Sequence, residues 1–306
     1  MSISEQQRND RRNFIGSSDV AAILGMDPYG RNQRDVYWSK VGEVDRDATS
    51  TSMEAGNLFE STLVDWAARK IGATRVVKDK TVLSLEIPIL GANLDALVLD
   101  GDRPVSCIEA KWVTAFNPEF QSWGKSETQE IPHSVSVQVM HQMFCGQLDF
   151  CDVVSAVAGD LRLYRIPRDE ESIQAIAHYC RAWWDKHVAR GVEPDGDPPR
   201  LDTVKYIKRV MGESRAIDPC LIESYELAKE RELEAKKEKD AAYANILAAM
   251  GTASVAEYGD SKKVYSLIES FRSSLDGQSL MREMPDVYER YMKESKFKTL
   301  RKVHRR

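Results

Sequence analysis

Two short apolar runs, Leu94–Leu99 and Val105–Ala110, stand on either side of Asp100-Gly101-Asp102-Arg103-Pro104. Gly and Pro supply the backbone angles a reversal needs, and flanks rich in Leu, Val and Ile favour extended structure. The stretch from Leu94 to Lys111 therefore predicts a β-hairpin. Such a hairpin places Asp95 on its first strand and Glu109 and Lys111 on its second. Because side chains alternate along a strand, Glu109 and Lys111 share a face, and the partner strand can present Asp95 beside them. Two acids and a lysine then converge.

Adjacent carboxylates repel, and the ordinary remedies are a shared proton or a bound cation. Oxygen donors of this kind suit Mg²⁺ or Mn²⁺, which need only one or two protein carboxylates when a substrate phosphate completes the shell. Lys111 then stands where it can position or deprotonate an attacking water. Taken alone, the D-x(13)-E-x-K spacing fits an ordinary surface hairpin more often than a catalytic one, its Glu–Lys pair being worth little. The rest of the chain has to decide between them.

A net charge of -5 on 306 residues, 30% of them charged, does not advertise nucleic-acid binding, so any such surface must be local. The basic residues do cluster, at Arg8, Arg11 and Arg12 and again from Lys293 to Arg306. Five cysteines, none in a C-x-x-C pair, argue against a disulfide framework, structural zinc or an iron–sulfur cluster, and fit a reducing cytoplasm. The polar start MSISEQQRNDRRNF carries no apolar core of a signal peptide, and no run of about 18 apolar residues occurs, so neither secretion nor a membrane is expected.

In chain order, Gly16-Ser17-Ser18-Asp19 reads as a helix start followed by a short apolar helix stopped by Gly25. Its serines can cap the helix, and with Arg11 nearby its free N–H groups suit a phosphate equally well. A second helix spans Arg34 to Gly42, and a longer one from Met53 carries Leu58, Leu63, Trp66 and Ala67 as its apolar stripe. Glu60, flanked by that stripe, is either solvated or turned toward the hairpin acids. Lys80 to Leu90 reads as a strand, Pro132 to Gly146 as a helix bearing Gln138 and His141, Phe150 to Ala158 and Leu161 to Ile166 as strands, and Arg168 to Val188 as a helix. His141 is expected to be an ordinary helix histidine, since no second His or Cys stands at metal spacing.

The prolines of Glu193–Asp202 mark the boundary, giving a domain over 1–198 and an extension over 199–306. Within the extension, Asp218 to Met250 predicts a helical hairpin arm, Val264 to Phe271 a strand, Met284 to Met292 a short helix and Phe297 to Arg301 a basic closing strand.

Taken together, these segments resemble the YqaJ-type viral recombinases, phage exonucleases of the lambda exonuclease kind within the PD-(D/E)xK superfamily. The likeness runs through Ile15–Gly25, Trp38–Gly42, Gly56–Glu60, Asn93–Ala96, Ile108–Lys111, Ile131-Pro132 and Gln138–Met143. It implies an α/β restriction-endonuclease-like core, a mixed central sheet flanked by helices, with a C-terminal helical arm and a small α+β extension. It implies that Asp95 and Glu109 bind two metal ions with the Ala110 carbonyl, and that Glu60 reaches a metal directly or through water. By the same likeness Lys111 aligns or activates the water, Gln138 holds Lys111, and Arg11 with Ser18 receives a 5′-phosphate. Where the family often writes Gly-Gly-Ser this chain has Gly16-Ser17-Ser18, which leaves Ser17 and Ser18 both open as the phosphate contact.

The implied activity is Mg²⁺-dependent 5′-to-3′ degradation of one strand of double-stranded DNA ends, leaving a 3′ single strand for a single-strand annealing protein. A toroidal homo-trimer and a place in the cytoplasm of a phage's bacterial host come with it. A restriction or repair endonuclease and a catalytically inactive DNA-end-binding module remain as alternatives.

Overall fold

The structure is a computed structural model and describes residues 12–42, 51–205, 207, 209–210, 212–257, 264–271 and 273–293. It divides into two compact units between Arg209 and Val210. In the first, helices α1 (Ser17–Ile23), α2 (Gln33–Val41) and α3 (Thr51–Ile71) precede strands β1 (Arg75–Leu83), β2 (Gly91–Asp100) and β3 (Arg103–Val113). Helix α4 (His133–Gly146) then leads to β4 (Phe150–Val157) and β5 (Asp160–Pro167), and α5 (Glu170–His187) and α6 (Leu201–Val204) complete the unit.

The five strands form one mixed sheet in the order β1-β2-β3-β4-β5. Hairpins make every pairing antiparallel except β3 with β4. A parallel pair needs a crossover, and the chain from Thr114 through α4 supplies it. The predicted β2–β3 hairpin is present: Asp100 pairs with Arg103, and Gly101 takes the left-handed φ of 61° that the tight turn demands. Pro104 lies opposite Leu99, and the register slips by one residue there, a bulge suited to a residue with no N–H to give the ladder.

Alternation splits the apolar side chains between two layers. Leu97, Cys107 and Val153 face α1, α4 and α5, among them Val20, Val139, Met143 and Ile173. Their neighbours Ala96, Val98, Ile108 and Val154 face the other way, onto Leu63, Val64 and Ala67 of α3. Leu58, expected in the apolar stripe of α3, is instead 72% exposed, and the buried stripe of the helix begins at Leu63.

The strand expected over Lys80–Leu90 starts earlier and ends at Leu83. Beyond it the Ser84 hydroxyl accepts the N–H groups of Glu86 and Ile87, a local turn that competes with the ladder, and Pro88 has no N–H to offer. Near the proline-rich stretch, Asn32 donates to the carbonyls of Asp197 and Pro198, and the buried Asp35 accepts the Arg200 N–H at 2.9 Å.

The second unit carries helix α7 (Pro219–Met250), strands β6 (Val255–Glu257) and β7 (Val264–Ser266), and helices α8 (Gly277–Glu283) and α9 (Pro285–Tyr291). The arm expected as a helical hairpin is one continuous helix of 32 residues. No Gly or Pro interrupts its run of Ala, Glu, Lys and Leu, so nothing turns the chain back. The strand expected to run from Val264 to Phe271 is confined to Val264–Ser266, paired with β6. The closing strand expected at Phe297–Arg301 lies outside the described residues. Among the described residues no helix is long and apolar enough to cross a membrane.

Candidate active site

The β2–β3 ladder closes at Ala96↔Ile108, and beyond that pair the strands part while β3 runs on beside β4 as far as Val113↔Val157. Asp95 stands at the parting and its Oδ2 accepts the Ala110 N–H at 2.8 Å, so the carboxylate fills the place of a strand carbonyl. Glu109 is 3% exposed, and both its oxygens are held. Oε1 accepts from Gln138 Nε2 and Lys111 Nζ, both at 2.6 Å, and Oε2 accepts from Gln142 Nε2 at 2.6 Å. Lys111 also donates to Gln138 Oε1 at 3.0 Å, which closes a ring of three side chains. The structure thus brings Asp95, Glu109, Lys111 and Gln138 together.

The charges do not balance. Burial, then the charges of Glu109 and Glu60, push the Asp95 carboxyl well above its usual range, with Lys111 opposing. Burial would lower the Lys111 amine, but Glu109 and Asp95 outweigh it and the amine is raised. Glu60, half-buried, is raised by burial, by Asp79 and by Glu109. It lies in the field of the site, which agrees with the reading that turns it toward the hairpin. Excess negative charge among hard oxygen donors is the electrostatic signature of a cation site. Among the described residues no group of three or more His, Cys, Asp or Glu forms a ready metal cage. The donors that fit are Asp95, Glu109 and the Ala110 carbonyl, with water and a phosphate to complete the shell, as Mg²⁺ prefers.

Gln142 did not emerge from the sequence, where it sits on the apolar side of its helix with Val135, Val139 and Met143. The usable signal was spacing: Gln138 and Gln142 are one turn apart and so reach the same carboxylate. The Cys107 thiol lies 3.9 Å from Gln142 Oε1 and can donate to it, which turns the amide nitrogen toward Glu109. His141 is buried, with Nε2 at 3.1 Å from the Gly91 carbonyl, and burial lowers its pKa to about 4. It is an ordinary helix histidine, as expected.

The phosphate candidates fall on α1, which packs against α4. Arg11 lies outside the described residues. Gly16 rather than a serine is the N-cap, so Ser17 and Ser18 are the first residues of the helix, Ser17 buried and Ser18 exposed. The cap is supplied by Asp19, whose Oδ2 accepts the Gly16 N–H at 3.1 Å. Arg31 and Lys40 each reach the same carboxylate at 2.6 Å, and Arg31 also donates to the Ser18 carbonyl. Two cations share one carboxylate here. Nothing in the sequence spacing pairs Arg31 or Lys40 with Asp19; the packed fold brings them together.

Comparison with known proteins finds relatives of this chain. Residues 7–149 match the family described as YqaJ-like viral recombinase domain. The chain is 27% identical over 313 residues to the uncharacterized protein YqaJ of Bacillus subtilis, across 96% of this chain and 94% of that one. Among solved structures, LHK-Exo in complex with dAMP, from Laribacter hongkongensis, superposes with a TM-score of 0.51 at 19% identity, over 61% of this chain and 94% of that chain. At that identity the likeness concerns the fold, and it supports the mixed sheet flanked by helices as the exonuclease architecture the resemblance implied.

Proposed function

We propose that this chain, which carries a YqaJ-like viral recombinase domain in residues 7–149, is a DNA nuclease that degrades one strand of linear duplex from its 5′ end. The observation that carries the reading is the Glu109 carboxylate held at both oxygens by Lys111, Gln138 and Gln142, beside an Asp95 crowded by negative charge. Bound by Asp95, Glu109 and the Ala110 carbonyl, with Glu60 as a further direct or water-mediated ligand, two divalent cations, Mg²⁺ or alternatively Mn²⁺, would stabilise both the attacking and leaving oxygens of an in-line displacement.

The chain's own residues then divide the remaining work. Gln138 and Gln142 fix the Glu109 carboxylate, so no rotamer search is needed when substrate arrives. Lys111, anchored by Glu109 and Gln138, directs a donor at the attacking water. Asp95, tied to the Ala110 N–H, keeps the end of β3 in register with the opening beside it. Arg11, Ser18 and Ser17 form the 5′-phosphate end of the site, by family likeness. The product, a 3′ single strand, is suited to a single-strand annealing protein, and the protein works as a homo-oligomer, a trimer ring by family likeness, in the cytoplasm of a phage's host.

Incubation with Mg²⁺ and either linear or covalently closed circular duplex tests this directly. Linear DNA should be consumed and closed circles left intact. Cutting of closed circles would replace the reading with an endonuclease, and binding to ends without cleavage would replace it with an inactive end-binding module.

A further inference from the structure

We infer that Phe59 and Trp112 form a stacking platform for an unpaired nucleobase of the strand being cleaved. The inference rests on the nuclease reading for its substrate class, but it comes from a feature that reading does not use. The two rings lie 4.3 Å apart between centroids and 15° from parallel, and each keeps more than a third of its surface exposed, 37% for Phe59 and 36% for Trp112.

Their positions in the chain tie them to the cleft. Phe59 immediately precedes Glu60, whose carboxyl lies in the field of Glu109 and Lys111, and Trp112 immediately follows Lys111. Alternation along β3 turns Lys111 toward α4 and Trp112 toward α3, at the end of the strand where β2 has already parted from it. A single strand laid across that open end meets Lys111 on one side and the aromatic pair on the other. The side chains around it are largely acidic, so an anionic group is not the natural guest of the rings. A nucleobase is, because it offers an uncharged π-face of matching size, and stacking tolerates any base as a non-sequence-specific enzyme requires. A purely structural pair would be expected to bury its faces against the core. Neither Phe59 nor Trp112 belongs to either apolar layer of the sheet.

The test is binding, read by fluorescence anisotropy in Ca²⁺, of linear duplexes carrying a single abasic residue at successive positions from the 5′ end. Wild type should lose about tenfold in affinity at one position, the stacked one, in line with the loss of one base–aromatic contact. Trp112→Leu and Phe59→Leu should bind intact DNA about tenfold more weakly and show no further loss at that position, whereas Trp112→Tyr should restore the wild-type profile. A wild-type profile flat across all positions, or a Trp112→Leu profile with the same dip as wild type, would overturn the platform and leave the pair as packing between α3 and β3. Cleavage in Mg²⁺ is measured separately on the same DNA, so an absence of nuclease activity would count against the nuclease reading while the abasic profile still decides the platform.

Discussion

Among the described residues, the buried carboxylates of Asp19 and Asp95 are driven in opposite directions by their surroundings. Around Asp19 one carboxylate meets two cations, Arg31 and Lys40, and their charge outweighs the effect of burial, holding the acid far below its usual range. Around Glu109 the acids outnumber the single lysine, and Asp95 is driven the other way. The first arrangement neutralises its own acid and reads as a structural clamp. The second is under-neutralised and needs a cation. Local charge arithmetic, rather than residue type, separates the fixture from the reactive site.

That contrast is open to direct attack. The largest effect is expected at the under-neutralised site: Glu109→Ala and Lys111→Ala should retain the fold, judged by thermal unfolding, and lose at least about a hundredfold in cleavage of linear duplex. Near-normal activity in either would remove the assignment. At the Asp19 clamp the result should invert. Asp19→Asn leaves Lys40 and Arg31 without their shared carboxylate, which costs on the order of 3–5 kcal/mol, visible in chemical denaturation; an unchanged midpoint would mean the clamp is not structural.

A third prediction concerns His141, which lies close to both constellations along α4. Burial depresses its folded pKa from 6.5 to about 4, so the unfolded chain takes up the proton first on acidification. Its contribution is complete above pH 6.5 and fades as the pH falls toward 4, about 3 kcal/mol in all. Denaturation series at several pH values should show that slope, and His141→Asn should flatten it.

The smallest effect belongs to the end-recognition side. Arg11→Ala or Ser18→Ala should slow a 5′-phosphorylated substrate about tenfold, the worth of one charge-assisted hydrogen bond, with little change on a 5′-hydroxyl end. Equal slowing on both ends would return these residues to general backbone binding or to the fold.

What the sequence made legible follows from the range of the forces involved. The hairpin was readable because its turn residues and β-branched flanks act locally, and the convergence of Asp95, Glu109 and Lys111 because a period of two places Glu109 and Lys111 on one face. The Asp19 clamp was not readable: Arg31 and Lys40 reach it from a loop and from α2, and only the packed fold brings them there. Gln142 was hidden by its apolar helix neighbours, since burial satisfied by a carboxylate looks like burial in a core. Leu58 misled in the opposite sense, because helical periodicity gives the apolar stripe but not how far along the helix the sheet extends. The proposed role of Arg11 concerns a residue outside those the structure describes.

The central claim, that the Asp95–Glu109 site is completed by a divalent cation, is tested most directly by thermal unfolding during Mg²⁺ titration. A cation that binds only the folded site raises the midpoint progressively with concentration. The account predicts that rise for the wild-type protein and its loss in the double variant Asp95→Asn with Glu109→Gln. A wild-type midpoint indifferent to Mg²⁺, or a rise of the same size in the double variant, would contradict it.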